Sequence, residues 1–148
     1  MNIRKAKLSD VEVIAKFNYN LAFETENKEL DIDILKKGVE NLIKDRSKGQ
    51  YYVYTVNDKI VGQIMHTYEW SDWRNKIFLW VQSVYVDKEY RKNGVFKSLY
   101  NYVKDICDND ESIGGIRLYV EKQNINAQNT YKHLGMEKCE YDMYEYEK

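Results

Sequence analysis

The spacing of apolar residues changes along this chain, and each change predicts an element. Residues 2–6 read as a short first strand. Val11, Ile14, Ala15, Leu21 and Ala22 then recur at helical spacing, which predicts a helix from about 10 to 24. Ser9 and Glu12 have capping-box spacing, and Leu8 can staple onto Val13. An acidic connector with Glu24, Glu26, Glu29, Asp31 and Asp33 leads to a second stripe, Ile32, Leu35, Val39, Leu42 and Ile43, which closes near Lys48 and Gly49. Three strand-like runs follow at 51–56, 60–69 and 77–86, separated by turns at Asn57-Asp58 and 71–75. The third run is apolar on both faces except at Gln82 and Ser83, the pattern of a strand covered on both sides. A charged loop, 87–94, opens a helix with Val95, Leu99, Val103 and Ile106 on one face. After a loop at 109–115 come a strand at 116–121 and a short helix from Asn124, with Gly135 as its C′ residue. Residues 139–147 alternate polar and aromatic and read as a last, edge-like strand. The order is β-α-α-β-β-β-α-β-α-β. A single α/β (α+β mixed sheet) domain over 1–148, with helices on both faces, is the simplest solution.

Composition narrows the function classes. The chain has 148 residues, 43% hydrophobic and 32% charged, as a folded domain requires. Lys plus Arg is 23 against 24 Asp plus Glu, so the basic excess of a general nucleic-acid binder is missing. No apolar run reaches the ~18 residues needed to span a bilayer, and no apolar stretch follows the basic start, so neither membrane nor secretion is expected. Cys107 and Cys139 lack metal-ligand spacing, as do His66 and His133, so we expect no metal site and a reducing, cytoplasmic setting.

Two segments concentrate candidate chemistry. Arg91-Lys92-Asn93-Gly94-Val95-Phe96 lies between a buried strand and a helix. The first N–H groups of a helix lack internal partners, and the helix dipole adds positive charge, so such junctions attract phosphate. Gly94 permits close approach or positive φ, and Arg91, Lys92 and Lys97 add countercharge. The plainer reading is a basic loop with one turn glycine. The second segment runs from Val120 to Met136. Its plainer reading is also good, because Asn124 is a favoured N-cap and Tyr131 falls on the apolar stripe.

Together and in this order, the two segments resemble the GCN5-related N-acetyltransferase (GNAT) superfamily. The family's acetyl-CoA loop follows Arg/Gln-x-x-Gly-x-Gly/Ala, and this chain has Arg91-x-x-Gly94-x-Phe96. Its later segment runs Asn-x-x-Ala-x-x-x-Tyr-x-x-x-Gly-Phe, and this chain has Asn124, Ala127, Tyr131, Gly135 and Met136. Element order and length match over essentially the whole chain. Phe96 departs from the usual small residue. Gln82 stands where some polyamine-acetylating relatives carry a glutamate, which places a direct carboxylate base there in doubt.

The resemblance implies acetyl-CoA as cofactor and direct transfer of the acetyl group to a primary amine, with a small cationic amine expected as acceptor and peptide N-termini as a further class. Val84, Tyr85 and Val86 would meet the pantetheine arm through main-chain groups, and residues 92–96 would hold the pyrophosphate through their amides. Arg91, Lys92, Asn93, Gly94, Val95, Phe96 and Lys97 form the expected cofactor loop. A backbone N–H near Val84 would stabilise the oxyanion, Tyr131 would protonate the leaving thiolate, and Asn124 would contact the cofactor or a water. Glu69 and Glu121 are candidate bases, beside a carboxylate acting through water. Glu24, Trp70, Gln82 and Glu121 are expected near the acceptor. Two other classes stay open: a non-catalytic acyl-CoA-binding or sensor module, and a protein–protein adaptor using the aromatic strand 141–146. A homodimer through that edge is expected and is compatible with all three.

Overall fold

A computed structural model describes residues 2–148. The chain forms two compact units, Met1–Leu118 and Tyr119–Lys148. The first unit carries β1 (Ile3–Lys5), α1 (Val11–Glu26), α2 (Ile32–Lys44), β2 (Gln50–Val56), β3 (Lys59–Ser71), β4 (Lys76–Val86), α3 (Val95–Asp108) and β5 (Ile113–Arg117). The five strands stand in chain order in one sheet. Neighbours from β1 to β4 are antiparallel, and β4 pairs with β5 in parallel. A parallel pair needs a crossover, which α3 provides.

Strand alternation sends side chains to two cores. Tyr51, Val53, Met65 and Tyr85 meet Ile14 and Phe17 of α1 and Val39 of α2 on one face. Tyr52, Ile64, Leu79 and Val81 meet Val95, Leu99 and Val103 of α3 on the other. The double covering expected for the third strand-like run is therefore present. Gly62 in β3 sets how closely α3 approaches, since a Cβ there would lie 2.8 Å from Val95 Cγ1 and 3.3 Å from Leu99 Cδ1.

Several local expectations are corrected. The Ser9–Glu12 box is replaced by a short 3₁₀ turn at Leu8–Asp10. Asp10, only 6% exposed, accepts from the Lys7 amide at 2.8 Å and binds the Arg4 guanidinium at 2.7 and 3.1 Å. A buried carboxylate held by a guanidinium is a stronger anchor than an exposed serine cap. The α2 start is capped by Asp31, which accepts from the amides of Asp33 and Ile34. Asn57 and Asp58 both take positive φ, 48° and 65°, and so make the two-residue hairpin turn without a glycine. β5 begins earlier than expected because Gly114 and Gly115 disguise it as loop. They are required there, since a Cβ on either would lie 2.9 Å from the Phe78 ring.

The second unit, described by itself, holds α4 (Ile125–His133) and no other regular element among the described residues. The strand expected over 139–147 is absent: these residues take no regular structure, and Tyr141, Met143, Tyr144 and Tyr146 are exposed, so the polar–aromatic alternation has no buried face to hold it extended. Gly135 is the C′ residue, at φ 93°. The Met136 amide returns to the Tyr131 carbonyl and the Gly135 amide to that of Lys132, both at 3.0 Å, which is a complete Schellman closure. Among the described residues no helix is long and apolar enough to cross a membrane.

Candidate active site

The site begins with a break in β4. Gln63 faces Tyr85 and Met65 faces Gln82 across the β3–β4 ladder, so Ser83 and Val84 oppose the single residue between, Ile64. Ser83 is the extra residue and takes φ 51°. This is a bulge with a non-glycine residue in the left-handed region, at a cost of about 1–2 kcal/mol. The bulge reverses side-chain parity. Val81 and Val84, three apart, pack on the α3 core, whereas Tyr85 packs on the α1 core.

A polar chain lies beneath the bulge. Gln63, fully buried, donates to the Ser83 carbonyl at 3.0 Å and to Asn18 Oδ1 at 2.7 Å. Asn18 donates in turn to the Tyr51 hydroxyl at 3.0 Å. Burial raises the Tyr51 phenol above its ordinary range, and the Asn18 and Ser83 side chains oppose that rise. Sequence reasoning missed Gln63. The available signal was one amide in the otherwise apolar run from Ile60 to Met65.

Directly after β4 the chain prepares the α3 N-terminus. The Asp87 amide returns to the Val61 carbonyl at 2.8 Å, and a short 3₁₀ turn covers Lys88–Tyr90. Lys92 and Gly94 take positive φ, 65° and 78°. Open space surrounds the position a Gly94 Cβ would occupy, so this glycine serves the backbone angle and leaves the loop mouth clear. As N-cap, Gly94 offers no side chain, and the first backbone bond closes from the Ser98 amide to the Gly94 carbonyl at 2.9 Å. The amides of Val95, Phe96 and Lys97 precede that bond, so they suit an anionic group. Phe96 lies tilted against Tyr100 one turn on, with centroids 6.4 Å apart, along the flank of its own helix. Lys92 and Lys97 stand in the same stretch. Loop and helix end therefore fit the pyrophosphate of a coenzyme A.

Arg91 and Glu24, expected on the cofactor and acceptor sides, are brought together. The Arg91 guanidinium binds Glu24 Oε1 at 2.8 Å and donates from Nε to the Val86 carbonyl at 2.9 Å. Tyr85 donates to Glu24 Oε2 at 2.5 Å, and Arg91 lies 5.3 Å from the Tyr85 ring centroid. Burial raises the Glu24 carboxyl, but the bonds from Tyr85 and Arg91 outweigh it and hold the group below its ordinary range. Tyr85 is pushed up to about 12, by burial first and by Glu24 second. The pair fastens the end of α1 to the start of the loop.

Gln82 and Glu69 share the sheet face that α1 covers further along. Gln82 donates to Thr67 Oγ1 at 2.8 Å. Glu69 binds Arg117 of β5 at 2.5 Å, and Arg117 lies 4.1 Å from the Phe78 ring centroid. Arg74 approaches the same ring at 5.0 Å. Trp70 is not brought to this face. It is 60% exposed and opposes Ile77, which packs on the α3 core.

The remaining expected residues lie in the second unit. Asn124 is the N-cap of α4, its Oδ1 accepting from the Ala127 amide at 3.2 Å. Glu121 accepts from the Gln123 amide at 2.9 Å. Tyr131 is half-buried on α4, and burial raises its phenol above the ordinary value.

Known proteins share this fold. The family model described as "Acetyltransferase (GNAT) family" matches residues 12–136. A possible acetyltransferase from Clostridium difficile 630 shares 66% identity and superposes with a TM-score of 0.94, over 98% of this chain and 95% of its own. At 16% identity, a predicted acetyltransferase with acetyl-CoA from Clostridium acetobutylicum shares the fold, with a TM-score of 0.80 over 98% of this chain and 95% of its own. The glucosamine-6-phosphate N-acetyltransferase of Arabidopsis thaliana does so at 19% identity, with a TM-score of 0.74 over 97% of this chain and 96% of its own. No curated protein matches. With its mixed sheet, bulged β4 and uncapped α3 N-terminus, the chain belongs to the GNAT family of acetyltransferases, whose cofactor is acetyl-CoA.

Proposed function

We propose that this acetyltransferase acetylates a primary amine by direct attack within a ternary complex. The observation that carries the reading is the bulge at Ser83–Val84 placed immediately before a loop that ends in an uncapped helix N-terminus. Acetyl-CoA, when bound, supplies an acyl group activated as a thioester. The amides of Val95, Phe96 and Lys97 hold its pyrophosphate, with countercharge from Lys92 and Lys97. Arg91 shapes the loop through Glu24 and the Val86 carbonyl. Main-chain groups of Val84 and Val86 pair with the pantetheine arm as a peptide pairs with a sheet edge. The Val84 N–H stabilises charge developing on the acyl oxygen. Tyr131 keeps its proton at neutral pH and delivers it to the leaving sulfur. Asn124 contacts the cofactor or an ordered water beside its capping role.

The acceptor arrives on the face that carries Gln82, Thr67 and Glu69. Glu69 and Glu24 are each committed to an arginine, so neither offers a free carboxylate to a polyamine. Arg117 is neutralised by Glu69, but Arg74, which lies against the Phe78 ring, donates to the neutral Ser71 Oγ and leaves a cation beside this face. That charge pattern favours an acceptor bearing an anion beside its amine over the simple cationic amine expected from sequence. Ordered water relaying the proton from the amine replaces direct abstraction by Glu69.

A CoASH-release screen over amino acids, amino-sugar phosphates, polyamines, aminoglycosides and peptides tests the proposal. Turnover highest on amines that carry a carboxylate or phosphate supports it. Preference for polyamines overturns the acceptor class. Acetyl-CoA binding with no CoASH release on any amine overturns catalysis and leaves the binding module.

A further inference from the structure

We infer that Gln63 is a positioning residue for acyl transfer, clamping the Ser83 carbonyl and so aiming the Val84 N–H. The inference rests on the reading of Val84 as the oxyanion donor.

Peptide geometry makes the connection. No cis peptide bond occurs among the described residues, so the Ser83 carbonyl and the Val84 N–H lie in one plane and point in opposite senses. Whatever fixes the carbonyl fixes the N–H. Ser83 and Val84 are out of register with β3, so regular ladder pairing does not set that plane. Gln63 Nε2 reaches the Ser83 carbonyl at 3.0 Å from the α1 side of the sheet. The Val84 N–H is consequently turned away from that side.

Gln63 is poorly explained as a packing residue. It is completely buried, and its Oε1 has no hydrogen-bond partner among the described residues. An apolar side chain of the same length would avoid burying that unpaired oxygen. What the amide contributes is two donors, spent on the Ser83 carbonyl and on Asn18 Oδ1. Asn18, anchored on the Tyr51 hydroxyl, holds the amide with its nitrogen toward the bulge. The left-handed Ser83 makes such a clamp necessary, because a serine does not rest in that region unaided.

The test combines Gln63→Met, which keeps length and removes the donors, with Ser83→Gly, which relieves the backbone angle. Valine-labelled protein is titrated with acetyl-CoA and separately with CoA, and the Val84 amide resonance is followed. In the wild type the two ligands should shift it differently, since only one carries the acyl oxygen. In Gln63→Met that difference should vanish. Its acetyl-CoA KM should stay within about twofold, while kcat on the best amine of the screen falls roughly tenfold to a hundredfold. Adding Ser83→Gly should recover part of the lost kcat, which loss of core packing does not predict. Should Gln63→Met fail to fold, Asn18→Ala, which frees the amide to turn, should give the same split at smaller size. A retained Val84 difference with unchanged kcat in the folded variant overturns the clamp. A wild type whose Val84 amide responds identically to both ligands overturns the oxyanion reading instead.

Discussion

At the scale of single residues, two titratable groups make separable predictions. Tyr131 keeps its proton through neutral pH, as burial raises its phenol. Tyr131→Phe should lower kcat at least about tenfold with little change in acetyl-CoA KM, the split left by a group that acts in the transition state. An unchanged kcat rejects the acid role. His66 is the second group. It is 3% exposed, meets the Tyr52 hydroxyl through Nε2 at 3.3 Å, and burial pushes it down to about 4. In the unfolded chain its imidazole titrates near 6.5. Between those values the unfolded state binds a proton that the folded state refuses, so stability should fall as pH drops from about 6.5 to 4, by about 3 kcal/mol. Denaturant melts of the wild type and His66→Gln across that window measure it. The variant should lose the slope and keep the loss at lower pH, where Asp10 and Glu24, both held below their ordinary range, are protonated.

At the scale of elements, the placement of α3 decides the geometry of the loop that enters it, proposed above to hold the pyrophosphate, and Gly62 decides the placement. Gly62→Ala drives a methyl group into Val95 and Leu99, the first and second turns of α3. Overpacking of this kind costs about 1–3 kcal/mol. The helix N-terminus must shift, so thermal unfolding should come earlier and the acetyl-CoA Kd should rise together. A destabilised variant with wild-type affinity would disconnect the two. Most of this architecture was legible in the chain. The stripe of Val95, Leu99 and Val103, the apolar β4 and the C′ position of Gly135 each follow from period and turn chemistry, and the charged loop does open a helix, as its sequence predicts. Less legible were features that depend on a distant partner. Arg91 and Glu24 are far apart in sequence, and nothing local reveals that each occupies the other. The opening residue of β5 hides behind Gly114 and Gly115, whose reason is the Phe78 ring on another strand. Gln82 and Ser83 stood out as polar positions, but the polar partner that gives Ser83 its meaning, Gln63, lies on β3.

At the scale of the whole molecule, the sheet in Met1–Leu118 grows from antiparallel neighbours that are consecutive in sequence, and only its last strand arrives by a crossover. β3 is paired on both edges and covered on both faces, so its amides should be the slowest to exchange, and those of β5 should exchange sooner. Hydrogen exchange resolved by residue reads this directly, and equal protection of β3 and β5 would contradict it. The parallel joint also has a consequence for how the protein is made. As the chain leaves the ribosome, β4 emerges with one edge bare. It stays bare until α3 and then β5 follow, an interval on the order of seconds at ordinary synthesis rates. For that interval a long apolar edge can pair with a neighbour on another ribosome. The nascent chain is therefore most exposed to co-aggregation while α3 and β5 are leaving the exit tunnel, which happens as codons downstream of β5 are read. Synonymous codons that slow translation in that downstream stretch should lower soluble yield without altering the finished enzyme.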